Sequence, residues 1–222
     1  MKSIAPTTRR LTRRTVTALT AIAALSLGVL TAAPAAAQAY PSKTVRIVVP
    51  FPPGGSTDLL ARRLGEKLSE KWKQTVIVEN RAGAGGTVGA DYVSKSEPDG
   101  HTLLLGVTGS NGIAGSLYPN LPYDMVKGFA PITVVVSAPL MIVKNPNVPA
   151  KTLQELIAAA RAKPAAMSYG SPGNGTSMHL TGEMFKLATK ASFLHIPYRG
   201  SAGALADTMG GQIDLMFGDV LV

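Results

Sequence analysis

Cysteine is absent from the 222 residues, so no disulfide, thiolate nucleophile or thiolate metal ligand exists, and the fold must rest on its core. Histidine is nearly absent too. His101, His179 and His195 are the three, and none has a partner at His-x-x-x-His spacing, so no zinc-type ligand set can be assembled from sequence. No acidic residue precedes Asp58, which concentrates positive charge at the front of the chain. The formal charge is +9, and removing the five cations Lys2, Arg9, Arg10, Arg13 and Arg14 from it leaves +4. With one tryptophan and aromatics at 5 %, no basic run interleaved with aromatics remains, which argues against nucleic acid as a partner. A G-x-S-x-G elbow is missing: Gly109-Ser110-Asn111-Gly112 lacks its spacing, and Ser171 is followed by proline.

Long apolar runs are lacking as well. Val16 to Leu30 is interrupted by Thr17, Thr20 and Ser26 and falls short of the roughly 20 residues a membrane span requires. Arginines ahead of this run and Ala37-Gln38-Ala39 behind it identify residues 1–39 as an export signal, with cleavage near Ala39 and a periplasmic destination. The arginine pairs fit the twin-arginine route, but Val16 stands where that signal prefers a bulky aromatic, which favours ordinary secretion.

What is present is a repeated device. Val45, Ile47, Val48 and Val49 make a β-branched strand of the kind buried on both faces of a parallel sheet. Pro50, Pro52 and Pro53 stop it, Gly54 and Gly55 permit a tight turn, and Ser56 or Thr57 can N-cap an amphipathic helix over 59–72. A helix N-terminus at the carboxyl edge of a sheet offers unpaired amides and a positive dipole end, chemistry suited to a carboxylate or phosphate. Thr75 to Glu79 and His101 to Val107 read as further strands, followed by the glycine-rich passages 80–90 and 108–112. Strand-like FAPITVVV and PLMIV, then the proline-spaced KNPNVPAKT, mark a crossing between domains. Thr152 opens a helix to Lys163 with Leu153, Leu156 and Ile157 on one face. The device then returns: strand 167–170, glycine turn 171–177, helix 178–188. Strand 193–198, helix 202–209 and strand 213–217 follow, and the alternation predicts an α/β fold.

One passage imitates a dinucleotide fingerprint. In Gly83-Ala84-Gly85-Gly86-Thr87-Val88-Gly89, however, the third glycine position falls on Val88, and nicotinamide cofactors are scarce outside the cytoplasm. An exported hydrolase or dinucleotide-binding oxidoreductase is therefore the alternative to a non-catalytic binder, which needs concave donors and a hinge but no nucleophile and base.

The motifs VVPFPPGGSTDLLAR, VENRAGAGGTVGA, PDGHTLLLG, LYPNLPYD, YGSPGNGTSMHL, HIPYRG and GQIDLMF occur in the order and spacing of the Bug proteins, substrate-binding proteins of tripartite tricarboxylate transporters, and the chain resembles that family over everything after the leader. The resemblance implies a type II periplasmic binding protein-like fold, with domains over 40–142 and 143–222 closing on a small carboxylate. A di- or tricarboxylate, an acidic amino acid or an aromatic acid would fit that class. It implies no catalysis, no metal and no cofactor, a monomer when full length, and delivery to the transporter's membrane subunits. Members usually continue beyond this length, so the resemblance implies an N-terminal fragment, consistent with the apolar end Val220-Leu221-Val222. Residues MVKGF at 125–129 depart from the family pattern, in the crossing rather than the site.

Carried onto this sequence, the family's pocket places Phe51, Gly54, Gly55, Ser56, Thr57 and Asp58 on one wall with Thr108, Gly109, Ser110 and Asn111 beside them. Ser171, Gly173, Asn174, Gly175, Thr176, Ser177 and His179 form the facing wall, with Tyr198, Arg199, Gly200 and Asp219 near the cleft. Structural roles compete for three of these. Arg199 equally suits a solvated surface, His179 suits packing one turn into its helix, and Asp58 suits the positive end of a helix.

Overall fold

A computed structural model of the protein describes residues 39–221, and the expected export signal lies outside the described residues except for Ala39. Strand β1 (Val45–Val49) is the centre of a three-stranded parallel sheet in the order β2-β1-β3, with β2 at Val76–Asn80 and β3 at Thr102–Leu104. Its four valine and isoleucine side chains are buried, as the β-branched run predicts for a central parallel strand. Helix α1 (Ser56–Trp72) lays Ala61 and its leucines against Ile47 and Val49, and the core of this sheet continues into Phe51 and Leu105. Helix α2 (Thr87–Ser94) and the short α3 (Ala114–Leu117), entered through a π turn at Gly109–Ile113, complete this half.

The second sheet runs β4-β7-β5-β6, from Leu140–Lys144, Leu215–Asp219, Met167–Ser171 and Phe193–Pro197. β4 is antiparallel to β7, and the other pairs are parallel. Helices α4 (Leu153–Ala162), α5 (Ser177–Thr189) and α6 (Ser201–Gly210) accompany it. Its core joins Leu156, Tyr169, Phe193, Leu215 and Phe217. Both sheets lie within one compact unit that begins at Pro41.

Two local expectations are corrected. Ser56 and Thr57 do not cap α1. Gly55 occupies the cap position and has no side chain to offer, while Ser56 is already the first helical residue and its hydroxyl donates to Asp219 Oδ2. The strand-like FAPITVVV is not a strand: residues 129–139 carry no regular structure, and Ile132 and Val134 are 77 % and 82 % exposed. A β-branched composition favours a pleated, half-buried surface only where a neighbouring strand supplies the ladder, and no described strand pairs with this segment. The cap at Thr152, by contrast, forms as expected, its side chain accepting from the Glu155 amide.

Candidate functional site

In a parallel α/β sheet the polypeptide leaves the carboxyl edge through loops, and there a ligand meets helix starts rather than helix ends. Both sheets direct such edges at one cleft of about 400 Å³. From the first sheet, β1 delivers Phe51, Gly55, Ser56 and Thr57, while the extension of β3 delivers Leu104 through Gly109. From the second, β5 delivers Pro172, Thr176, Ser177 and Met178, and β7 delivers Asp219 at its last residue.

Three helices begin in this cleft, and each begins with a serine that lines it: Ser56 of α1, Ser177 of α5 and Ser201 of α6. Their first-turn amides and positive dipole ends favour an anion without any cationic side chain. The two walls also touch directly. Ser56 Oγ donates to Asp219 Oδ2 at 2.8 Å, across 163 residues of sequence. A methyl on Gly55 would stand 2.7 Å from Ser201 Oγ, and one on Gly109 would stand 3.1 Å from the Gly175 carbonyl oxygen.

Of the residues marked from sequence, Phe51, Gly55, Ser56, Thr57, Thr108, Gly109, Thr176, Ser177 and Asp219 line the cleft. The others lie outside its lining. Gly54, at φ +88°, makes the left-handed turn that no side chain adopts cheaply, and its amide donates to Asp58 Oδ2 at 3.0 Å. Asp58 is 2 % exposed and fully engaged, accepting also from Arg62 and from Asn80 Nδ2. Burial pushes its carboxyl up, but these donors outweigh burial and hold it below the usual carboxylate range. Asp58 therefore braces the Gly54 turn instead of facing the cleft. Ser110 is buried, donating to Asn111 Oδ1 while its carbonyl accepts from Tyr123 Oη at 2.6 Å, so Ser110 and Asn111 shape the loop from within.

On the facing wall, Thr176 caps α5, accepting from the His179 amide and donating to the Gly173 carbonyl at 2.7 Å. Gly173 and Gly175 have φ of +135° and +79°, which glycine alone takes without strain. Asn174 is exposed. His179 Nδ1 accepts from the Gly175 amide at 3.2 Å and stacks on His195 at 4.3 Å, while His195 Nε2 lies 2.7 Å from Ser171 Oγ. The two imidazoles hold the loop from behind, and Tyr169 stacks on the far side of His195. Burial lowers His179, and burial together with the neighbouring His179 pushes His195 down to about 4. Tyr198 donates to Asp207 Oδ2 at 2.6 Å, and burial with that bond pushes its hydroxyl up to about 12. Arg199 is exposed and outside the cleft lining, and Gly200 is the cap of α6, packed on Pro52.

Sequence reasoning missed Ser201, Leu104 to Val107, Pro172, Met178 and the exposed segment Thr133 to Val136, all cleft-lining. Ser201 had a legible signal, since it follows Gly200 and opens a helix as Ser56 follows Gly55. The Thr133 segment had none, because its apolar side chains read as core.

Residues 60–222 match the family described as tripartite tricarboxylate transporter family receptor. Protein BugT of Bordetella pertussis is 42 % identical over 183 residues, a match covering 82 % of this chain and 56 % of BugT. A solved R. palustris protein with adipate superposes at TM-score 0.80 with 34 % identity, covering 82 % of this chain and 61 % of that one. The periplasmic binding protein BugD superposes at TM-score 0.78 with 38 % identity, over 82 % and 60 %. The chain thus has the α/β fold of periplasmic binding proteins, and it spans little more than half the length of these relatives.

Proposed function

The chain belongs to the tripartite tricarboxylate transporter receptor family, and from that premise we propose that the protein is an extracytoplasmic solute-binding protein. It captures a small carboxylate in the cleft and hands it to the membrane subunits of a tripartite transporter. The observation that carries the reading is the convergence of three helix N-termini, at Ser56, Ser177 and Ser201, on one cleft. Amide donors held in a fixed frame recognise a carboxylate without a counter-ion, and charge-assisted bonds of that kind contribute about 1.5 to 3 kcal/mol each. The adipate found with a family relative is a ligand of the same class.

The same reading assigns residues 1–39 to export into the periplasm, with cleavage near Ala39. It divides the mature chain into domains over 40–142 and 143–222, with the cleft between them. The full-length protein works as a monomer and performs no chemistry on its ligand, since capture and release are the whole of its task.

Thermal unfolding of the full-length mature protein against mono-, di- and tricarboxylates and acidic amino acids tests the reading. A ligand that binds only the folded state, present at 100 times its Kd, stabilises it by about 2.7 kcal/mol. A rise in Tm shared by one carboxylate class is the expected result. No rise with any carboxylate, or an equal rise with neutral sugars, overturns it.

A further inference from the structure

The cleft proposed to hold an anion contains one ionisable side chain among its described lining residues, and that side chain is acidic. Asp219 ends β7 in the cleft, while no lysine, arginine or histidine lines it. Its partners in the protein are neutral donors: Ser56 Oγ at 2.8 Å to Oδ2, and the Leu221 amide at 2.9 Å to Oδ1. Ser56 is also the first residue of α1, so the carboxylate of Asp219 sits beside the amides that this reading offers to the ligand.

Two like charges brought together in a partly desolvated cleft repel strongly, and hydrogen bonds to α1 cannot remove that repulsion. A ligand that places a donor between them turns repulsion into attraction. We propose that Asp219 is a specificity-determining residue, which accepts a hydrogen bond from an ammonium or hydroxyl on the carbon next to the ligand carboxylate held at the start of α1. The cleft then ranks 2-amino acids first, 2-hydroxy acids second and unsubstituted acids last. A charged donor gains most from Asp219, a hydroxyl gains the bond without the charge, and an unsubstituted acid leaves the carboxylate facing an anion. This inference rests on the carboxylate-binding reading above and specifies its ligand.

Calorimetry on the full-length protein tests it with matched sets: succinate, malate and aspartate; glutarate, 2-hydroxyglutarate and glutamate; propionate, lactate and alanine. Within whichever set binds, the amino acid is expected to bind at least about tenfold tighter than the unsubstituted acid, one charge-assisted hydrogen bond's worth of discrimination. Asp219→Asn keeps the side-chain shape and one acceptor but removes the charge. It is expected to compress the range to within about threefold, mainly by improving the unsubstituted acid, while Tm without ligand stays near wild type. Asp219→Ser serves as the second variant, with the same expectation. An unsubstituted acid binding as tightly as its amino counterpart to wild type overturns the proposal. So does an unchanged ranking in a folded Asp219 variant. If no acid in any set binds, this inference is overturned, while the carboxylate reading stands or falls separately on the wider Tm screen that includes tricarboxylates.

Discussion

His195 makes its contribution from behind the site. Its ring lies between Tyr169 and His179, shares a hydrogen bond with Ser171 where the cleft loop begins, and faces Glu183 and Lys186 of α5. Burial and the stacked His179 keep it neutral down to about pH 4, whereas an imidazole in the unfolded chain takes up its proton near pH 6.5. Between those values the unfolded state binds more protons, so stability is complete above about pH 6.5 and declines as pH falls toward 4. A shift of that size would cost about 3.4 kcal/mol at a fully buried ring, and the partial solvent exposure of His195 reduces the loss across that window to on the order of 2 kcal/mol. His195→Gln, which does not titrate there, is expected to have a flatter profile in denaturant unfolding measured at several pH values from 7 to 4.5. Parallel profiles for the two proteins would remove His195 as the cause. Asp58 sits in the scaffold by the same logic of engaged partners, since a carboxylate already shared by Gly54, Arg62 and Asn80 has no reach left for a ligand.

Among the elements, the start of α1 depends on a glycine whose backbone is ordinary. Gly55 has φ −86°, so its requirement is space: a methyl there would press on Ser201 Oγ at the start of α6. Gly55→Ala is therefore expected to hold the two helix starts apart and weaken carboxylate binding by about tenfold, close to 1.4 kcal/mol. Ser201→Ala removes the oxygen that the methyl meets, so the double variant should bind no worse than Ser201→Ala alone. Calorimetry on the three variants checks this, and simply additive losses would mean that the close approach is not the reason. The strand, glycine turn and helix succession was legible at both walls because local chemistry dictates it: β-branched runs, proline stops, left-handed glycines and helix periodicity act within a few residues. What the sequence withheld depends on contacts distant in the chain. Nothing near Ser56 announces that its hydroxyl serves Asp219 instead of capping α1, and nothing in Ile132 to Val136 announces that β-branched residues will stay outside both sheets.

For the whole molecule, the question is what a ligand changes. The walls meet at Ser56 and Asp219, at Gly55 and Ser201, and at Gly109 and Gly175, and each pair joins the carboxyl edge of one sheet to the loops of the other. A ligand gripped by the start of α1 on one side and the starts of α5 and α6 on the other makes all its contacts only when those edges are together. Its binding must then favour the closed arrangement, whereas a ligand touching one wall alone would bind open and closed forms equally and shift nothing. Hinge closure of this kind moves whole domains with little change inside either. Small-angle scattering of the full-length protein is expected to give a smaller radius of gyration at saturating carboxylate than without it. Ser56→Ala removes a hydroxyl from the α1 start and the bond to Asp219, so it is expected both to weaken binding and to reduce the ligand-induced compaction. Identical scattering with and without ligand, at an affinity that calorimetry confirms, would mean that the site is rigid and that the paired helix starts serve recognition alone.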